Sequence, residues 1–140
     1  MRYLLLVQAT GFTETGMNPG EDYKEAVKAY RQSLAEAGVL LAAEELRPSA
    51  AGMRIAYLPG RAAPEVWPGP FPIEQGLIAE FALIDVDTEE EALNWALRMP
   101  VPSGQGICGI ELRRLEDKTE HSHHSRQTAT EAGLKDFLQL

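Results

Sequence analysis

The stretch LIAEFALIDVDTEEEALNWALRMP, residues 77–100, decides the architecture. Leu77 to Val86 carries Ile78, Phe81, Leu83, Ile84 and Val86 and is the longest strand candidate in the chain. Thr88-Glu89-Glu90-Glu91 reads as a capping box, in which the Thr88 hydroxyl accepts from the amide three residues on while Glu91 reaches back. Ala92, Trp95, Ala96 and Met99 then recur at helical spacing with Leu93 and Leu97 beside them, and Pro100 stops the helix. Ile107 to Arg113 follows as the last strand.

Upstream, Tyr3 to Gln8 is a continuous apolar run whose length suits a strand with both faces covered, at the centre of a sheet. Thr10 to Gly20 is rich in Gly, Thr, Asn and Pro and reads as a loop. A helix follows, capped by Asn18 with Pro19 in its first turn. Tyr23, Val27, Tyr30, Leu34 and Ala37 share one helix face, and Gly38 is the expected terminator. Val39 to Leu46 is a second strand, and Met53 to Leu58 alternates as a half-buried one. Prolines 59, 64, 68, 70 and 72 then exclude regular structure, except for an edge hairpin around Glu65-Val66-Trp67.

The order reads as strand, helix, strand, strand, helix, strand, with a proline-rich excursion after the third strand. That is an α+β, ferredoxin-like βαββαβ arrangement: an antiparallel sheet with two helices on one face. The other face of such a sheet is bare, and a second copy of the chain is its commonest cover. Residues 1–115 form this domain. Glu116 to Arg126 has no large apolar side chain and reads as a solvated linker, followed by a short helix or tail carrying Leu134, Phe137 and Leu138.

Composition excludes several classes of function. The 140 residues carry 13 Lys+Arg against 21 Asp+Glu, a formal charge of −8, which argues against binding nucleic acid through its phosphates. A single cysteine, Cys108, excludes an internal disulfide and a cysteine-based zinc site. The N-terminal apolar run is too short for a signal peptide core or a membrane span, so the expected home is cytoplasmic. Gly104-Gln105-Gly106-Ile107-Cys108-Gly109 matches a dinucleotide-binding pattern but lies between a helix and a strand, the reverse of what the motif needs, and reads as a turn. His121, His123 and His124 are the only histidines and fall in the solvated segment, so the domain itself has no imidazole base and no expected metal or cofactor.

Candidate site residues come from carboxylates and one arginine. Glu44 and Glu45 are adjacent at a strand end and point to opposite faces, so one of them looks away from solvent. Glu80 interrupts the apolar strand Ile78-Ala79-Glu80-Phe81-Ala82, where it either sits on an exposed face or lines a cavity. A buried carboxyl at either place has a raised pKa and can act as general acid or base. Arg113 shares its strand face with Glu111, as an ion pair or an anion site. Tyr57, Trp67 and Phe71 are candidates for apolar cleft walls.

With its elements in place the chain resembles the YCII-related proteins, in the branch named for an Asp-Gly-Pro-Phe signature. The resemblance runs over about residues 2–115. It is carried by Tyr3-Leu4-Leu5-Leu6-Val7, Ala37-Gly38-Val39-Leu40-Leu41, Glu45-Leu46-Arg47-Pro48-Ser49, Pro68-Gly69-Pro70-Phe71, Leu77-Ile78-Ala79-Glu80-Phe81, Glu91 to Ala96 with Pro100, and Ile110-Glu111-Leu112-Arg113. Pro68 stands where the signature has Asp, Pro72-Ile73-Glu74-Gln75 replaces an acidic and basic stretch, and Glu80 stands where relatives usually carry glycine. The resemblance implies a ferredoxin-like monomer pairing as a dimeric α+β barrel, and no settled reaction. Enzymes of related barrel shape rely on residues this chain lacks.

Three functions follow as expectations. The first is a homodimer binding a small molecule in a cleft between the sheet and the Pro68–Phe71 loop, with Glu45, Glu80 and Arg113 as polar groups. The second is a small barrel-type enzyme in which Glu45 or Glu80 acts as base and Arg113 holds an anionic substrate. The third is a protein-interaction module in transcriptional regulation, from the company that some relatives keep.

Overall fold

The computed structural model describes residues 1–101 and 108–117. Strand β1 (Arg2–Gln8) buries every second side chain, Tyr3, Leu5 and Val7, as a pleated strand against one packed layer must. Its partner β5 (Ile78–Asp85) does the same with Glu80, Ala82 and Ile84. Their antiparallel register sets Tyr3 opposite Ile84, Leu5 opposite Ala82 and Val7 opposite Glu80. Strand β2 (Leu40–Glu45) flanks β5, and β6 (Ile110–Arg114) flanks β1, giving the order β2-β5-β1-β6 with every pair antiparallel.

Both long helices cover one face. Helix α2 (Glu21–Glu36) contributes Val27, Tyr30 and Leu34, and α3 (Glu89–Leu97) contributes Ala92 and Ala96. Tyr30, Leu34, Ala92, Ala96 and Met99 form one cluster with Tyr3, Leu5, Val7, Ala82 and Ile84. Burying a side chain the size of Leu5 or Leu34 contributes about 1.5–3 kcal/mol. The Tyr30 hydroxyl ties the two helices together, donating to the Trp95 carbonyl at 2.6 Å. Burial pushes this phenol up to about 12, with Arg98 acting weakly in the other direction. Helix α3 starts as its sequence requires, with the Glu91 amide donating to Thr88 Oγ1 at 3.1 Å. The Glu91 carboxylate accepts from the Asp87 amide, one residue earlier than a standard box. At the end of α2, Gly38 takes φ 73° and the Val39 amide returns to the Leu34 carbonyl.

The chain is α+β with a ferredoxin-like antiparallel sheet, and four details differ from the reading of the sequence. The third strand of the sheet is β5. Met53 to Leu58 is not part of the sheet: β3 (Met53–Ala56) pairs with β4 (Glu65–Pro68) as a separate hairpin inserted between β2 and β5. The proline-rich excursion therefore follows the second sheet strand, because β5 supplies the longer apolar surface to pair with β1. The 10–20 segment contains a one-turn helix α1 (Gly11–Glu14), with Thr10 and Thr13 capping each other. Asn18 does not cap α2; its Oδ1 accepts from the Gly20 amide and shapes the turn before the helix, whose N-cap is Gly20 at φ 93°. Finally, this chain covers only one face of β1. On the other, Leu4, Leu6, Phe81 and Leu83 are half-buried.

Among the described residues, no helix is long and apolar enough to cross a membrane. The His121-Ser122-His123-His124 cluster, the C-terminal tail and most of the Gly104–Gly109 turn lie outside the described residues.

Candidate functional site

In this topology the C-terminal ends of β1 and β2 and the N-terminal ends of β5 and β6 lie at the same end of the sheet. Glu80 is near the start of β5 and points to the helix-covered face with Ala82 and Ile84, 5% exposed. On that face Val7 of β1 lies opposite it on one side and Glu45 of β2 on the other. Helix α2 begins above this end, and Tyr23, first in its apolar stripe, donates its hydroxyl to Glu80 Oε1 at 3.4 Å. Among the described residues, the second oxygen, Oε2, has no hydrogen-bond partner.

The electrostatics follow from that placement. Burial pushes the Glu80 carboxyl above the usual carboxylate range, Arg31 of α2 pulls it back, Glu45 pushes it further up, and the Tyr23 hydrogen bond pulls it down. Burial, and then the charge of Glu80, hold the Tyr23 phenol well above its ordinary range. Burial and Glu80 also raise the half-buried Cys108 thiol, whose Sγ approaches the Gln8 carbonyl at 3.8 Å. A thiol held protonated in this way is a poor nucleophile. Glu45 itself is exposed. The site therefore pairs a buried carboxyl raised above its ordinary range with an open one across the strand, an arrangement able to bind a polar group or to pass a proton through it.

The other sequence candidates are elsewhere. Arg113 lies opposite Leu4, on the face away from Glu80, and pairs with Glu111 at 3.5 Å. The cation near Glu80 is Arg31. Glu44 lies opposite Phe81 on that same far face. Tyr57 is 80% exposed at the hairpin. Trp67 donates its indole N–H to Glu65 at 3.0 Å. The Phe71 ring lies under the Arg54 guanidinium, 4.0 Å from its centroid, and Arg54 also donates to Gln75.

The Pro68–Phe71 signature is a structural joint. The Phe71 amide donates to Ser49 Oγ at 2.9 Å, while the Ser49 hydroxyl and amide both donate to the Glu14 carboxylate. Gly69 packs so closely on the Ser49 carbonyl that a Cβ there would overlap it, and the Gly69-Pro70 peptide is cis. These contacts tie α1, the turn at residues 48–52 and the base of the hairpin together. Among the described residues, no set of three His, Cys, Asp or Glu side chains comes together to hold a metal ion.

Glu80 and Glu45 were candidates from the sequence; Tyr23 and Arg31, which lie beside Glu80 in the structure, were not. Tyr23 had a signal: as the first member of an apolar stripe it had to sit where the helix reaches the end of the sheet. Arg31, among the polar positions of α2, had none.

Residues 1–116 match the YCII-related domain, and the chain belongs to that family. A search of curated proteins finds no match.

Proposed function

We propose that this YCII-related protein binds a small molecule at the loop-bearing end of its sheet, with Glu80 as the anchoring group, and that it works as a homodimer. One observation carries the binding reading: Glu80 is 5% exposed, yet its Oε2 has no partner among the described residues. Folded proteins pair buried polar groups, and an unpaired one costs about 1–3 kcal/mol. A ligand's polar group would supply the missing partner. A thermal-shift screen of metabolites on the full chain and on Glu80→Leu tests this. The expected compounds raise the melting temperature of the parent and not of the variant; a screen that moves neither counts against the reading.

The dimer rests on the second sheet face. Leu4, Leu6, Phe81 and Leu83 form its apolar centre, with Glu44 along one edge strand and Glu111 and Arg113 along the other. An apolar centre inside a charged rim is the anatomy of an interface. Sedimentation should give a dimer for the parent and a monomer for Leu83→Lys; a monomeric parent ends the proposal.

The contrast between buried Glu80 and exposed Glu45 favours a second reading, general acid–base catalysis on the bound molecule. Deuterium exchange into a screened ligand, catalysed by the parent and slowed in Glu45→Gln, would support it. Equal exchange rates would reject it.

A further inference from the structure

The charges around Glu80 narrow the chemistry of the ligand. Glu45 and Glu80 are Cα partners across β2 and β5, so their side chains leave the sheet on the same face. Like charges directly opposite repel; Arg31 of α2 offsets part of the charge on Glu80, but it makes no ion pair with either carboxylate among the described residues. Beside the charge of the pair stands a geometric fact: one oxygen of the Glu80 carboxyl, Oε2, has no partner among the described residues, although Glu80 is 5% exposed. An anion would meet two carboxyl groups. A neutral carbonyl would answer Glu80 and leave Glu45 unmatched. A metal ion takes several oxygen ligands, and no trio of ligating residues forms among the described residues. A compact organic cation answers both groups at once, because it donates hydrogen bonds and carries the opposite charge. The formal charge of −8 on the chain also steers cations toward it.

We propose that the ligand presents a primary ammonium or guanidinium group that enters from the open edge at β2 and bridges Glu80 Oε2 and Glu45, while the Tyr23 hydroxyl holds Glu80 Oε1. This rests on the small-molecule reading and specifies its ligand class. The groups facing Glu80 are Tyr23 and Arg31 from α2, Glu45 from β2, Cys108 ahead of β6 and apolar Val7 from β1. Because burial raises the Glu80 carboxyl above its ordinary range, the fraction ionised and able to pair with a cation, and with it the affinity, rises with pH.

Calorimetric titration of the full chain with ethanolamine, putrescine and agmatine, and with ethylene glycol as the neutral control, tests the class. At least one amine should bind more tightly at pH 8 than at pH 5.5, and about tenfold more weakly to Glu80→Gln and to Glu45→Gln. The exposed position of Glu45 keeps the second variant informative if the first folds poorly. Silence from all three amines, equal binding by both variants, or an affinity that falls as pH rises overturns the proposal. Neutral or anionic metabolites that bind in a Glu80-dependent manner would overturn the ligand class and leave the binding site standing. A screen without any Glu80-dependent compound would remove both.

Discussion

Replacing Glu80 by leucine should make the folded chain more stable, and the gain should grow with pH. Position 80 is 5% exposed between Val7 and the start of α2, so a leucine there is shielded from water. Removing an unpartnered buried oxygen recovers about 1–3 kcal/mol. Ending the repulsion from Glu45 adds about 0.2–1 kcal/mol, and losing the attraction of Arg31 offsets that gain. Against this, Tyr23 loses its acceptor, but that bond is long at 3.4 Å and the half-buried hydroxyl can turn to water. A changed side-chain shape costs up to about 1.5 kcal/mol. The balance is a gain of about 1 kcal/mol near pH 8, or roughly 4 °C in melting temperature. The pH dependence follows from the raised carboxyl. Below the ordinary carboxylate range, folded and unfolded chains both hold the proton and Glu80 adds no dependence. As pH rises, the unfolded chain releases its proton first, so the parent loses stability until the folded carboxyl has also ionised. The leucine variant lacks this loss. Urea unfolding between pH 5 and pH 8, followed through tryptophan fluorescence, measures both curves, and Glu80→Gln should fall between parent and leucine because it keeps polar atoms in the site. A leucine variant less stable than the parent at pH 8, or a difference that does not change with pH, would refute the argument that Glu80 is under-compensated.

Gly69→Ala should lower stability by about 1–3 kcal/mol, since the new methyl overlaps the Ser49 carbonyl; a melting temperature unchanged from the parent would show that the joint yields. Ser49→Ala removes the acceptor of the Phe71 amide and a hydroxyl donor to Glu14, so a loss of about 1–3 kcal/mol in urea unfolding is expected, with faster hydrogen exchange at the Phe71 amide. Tyr30→Phe should cost about 1 kcal/mol through the lost bond to Trp95, and in an alkaline absorbance titration it should delete a phenol that ionises at about 12.

Local chemistry wrote most of the fold into the chain. Thr88 and Glu91 fix the start of α3, Gly38 ends α2, and the continuous apolar run Tyr3–Val7 marks a central strand, although its alternate burial on one face shows only in the structure. Where the reading slipped, two segments had similar local patterns. Met53–Ala56 alternates like a sheet strand, but only the length of Ile78–Asp85 lets it pair with β1 and β2 together, and no local rule compares the two. Asn18 carries a capping side chain, and its position in the turn decides that it serves Gly20 instead.

The site divides along the same line. The sequence by itself determined the ferredoxin-like order, the absence of histidine from residues 1–116, and the presence of a carboxyl, Glu80, inside an apolar strand, because periodicity and residue type are local properties. Only the tertiary structure decided which face that carboxyl takes and what it meets. The register of β5 turns Glu80 toward the helices, places Glu45 opposite it and sends Arg113 to the other side, while the packing of α2 brings Tyr23 and Arg31 over it. A shift of one residue in that pairing would exchange the two faces, so the chemistry of the site rests on a long-range choice that no short window of sequence contains.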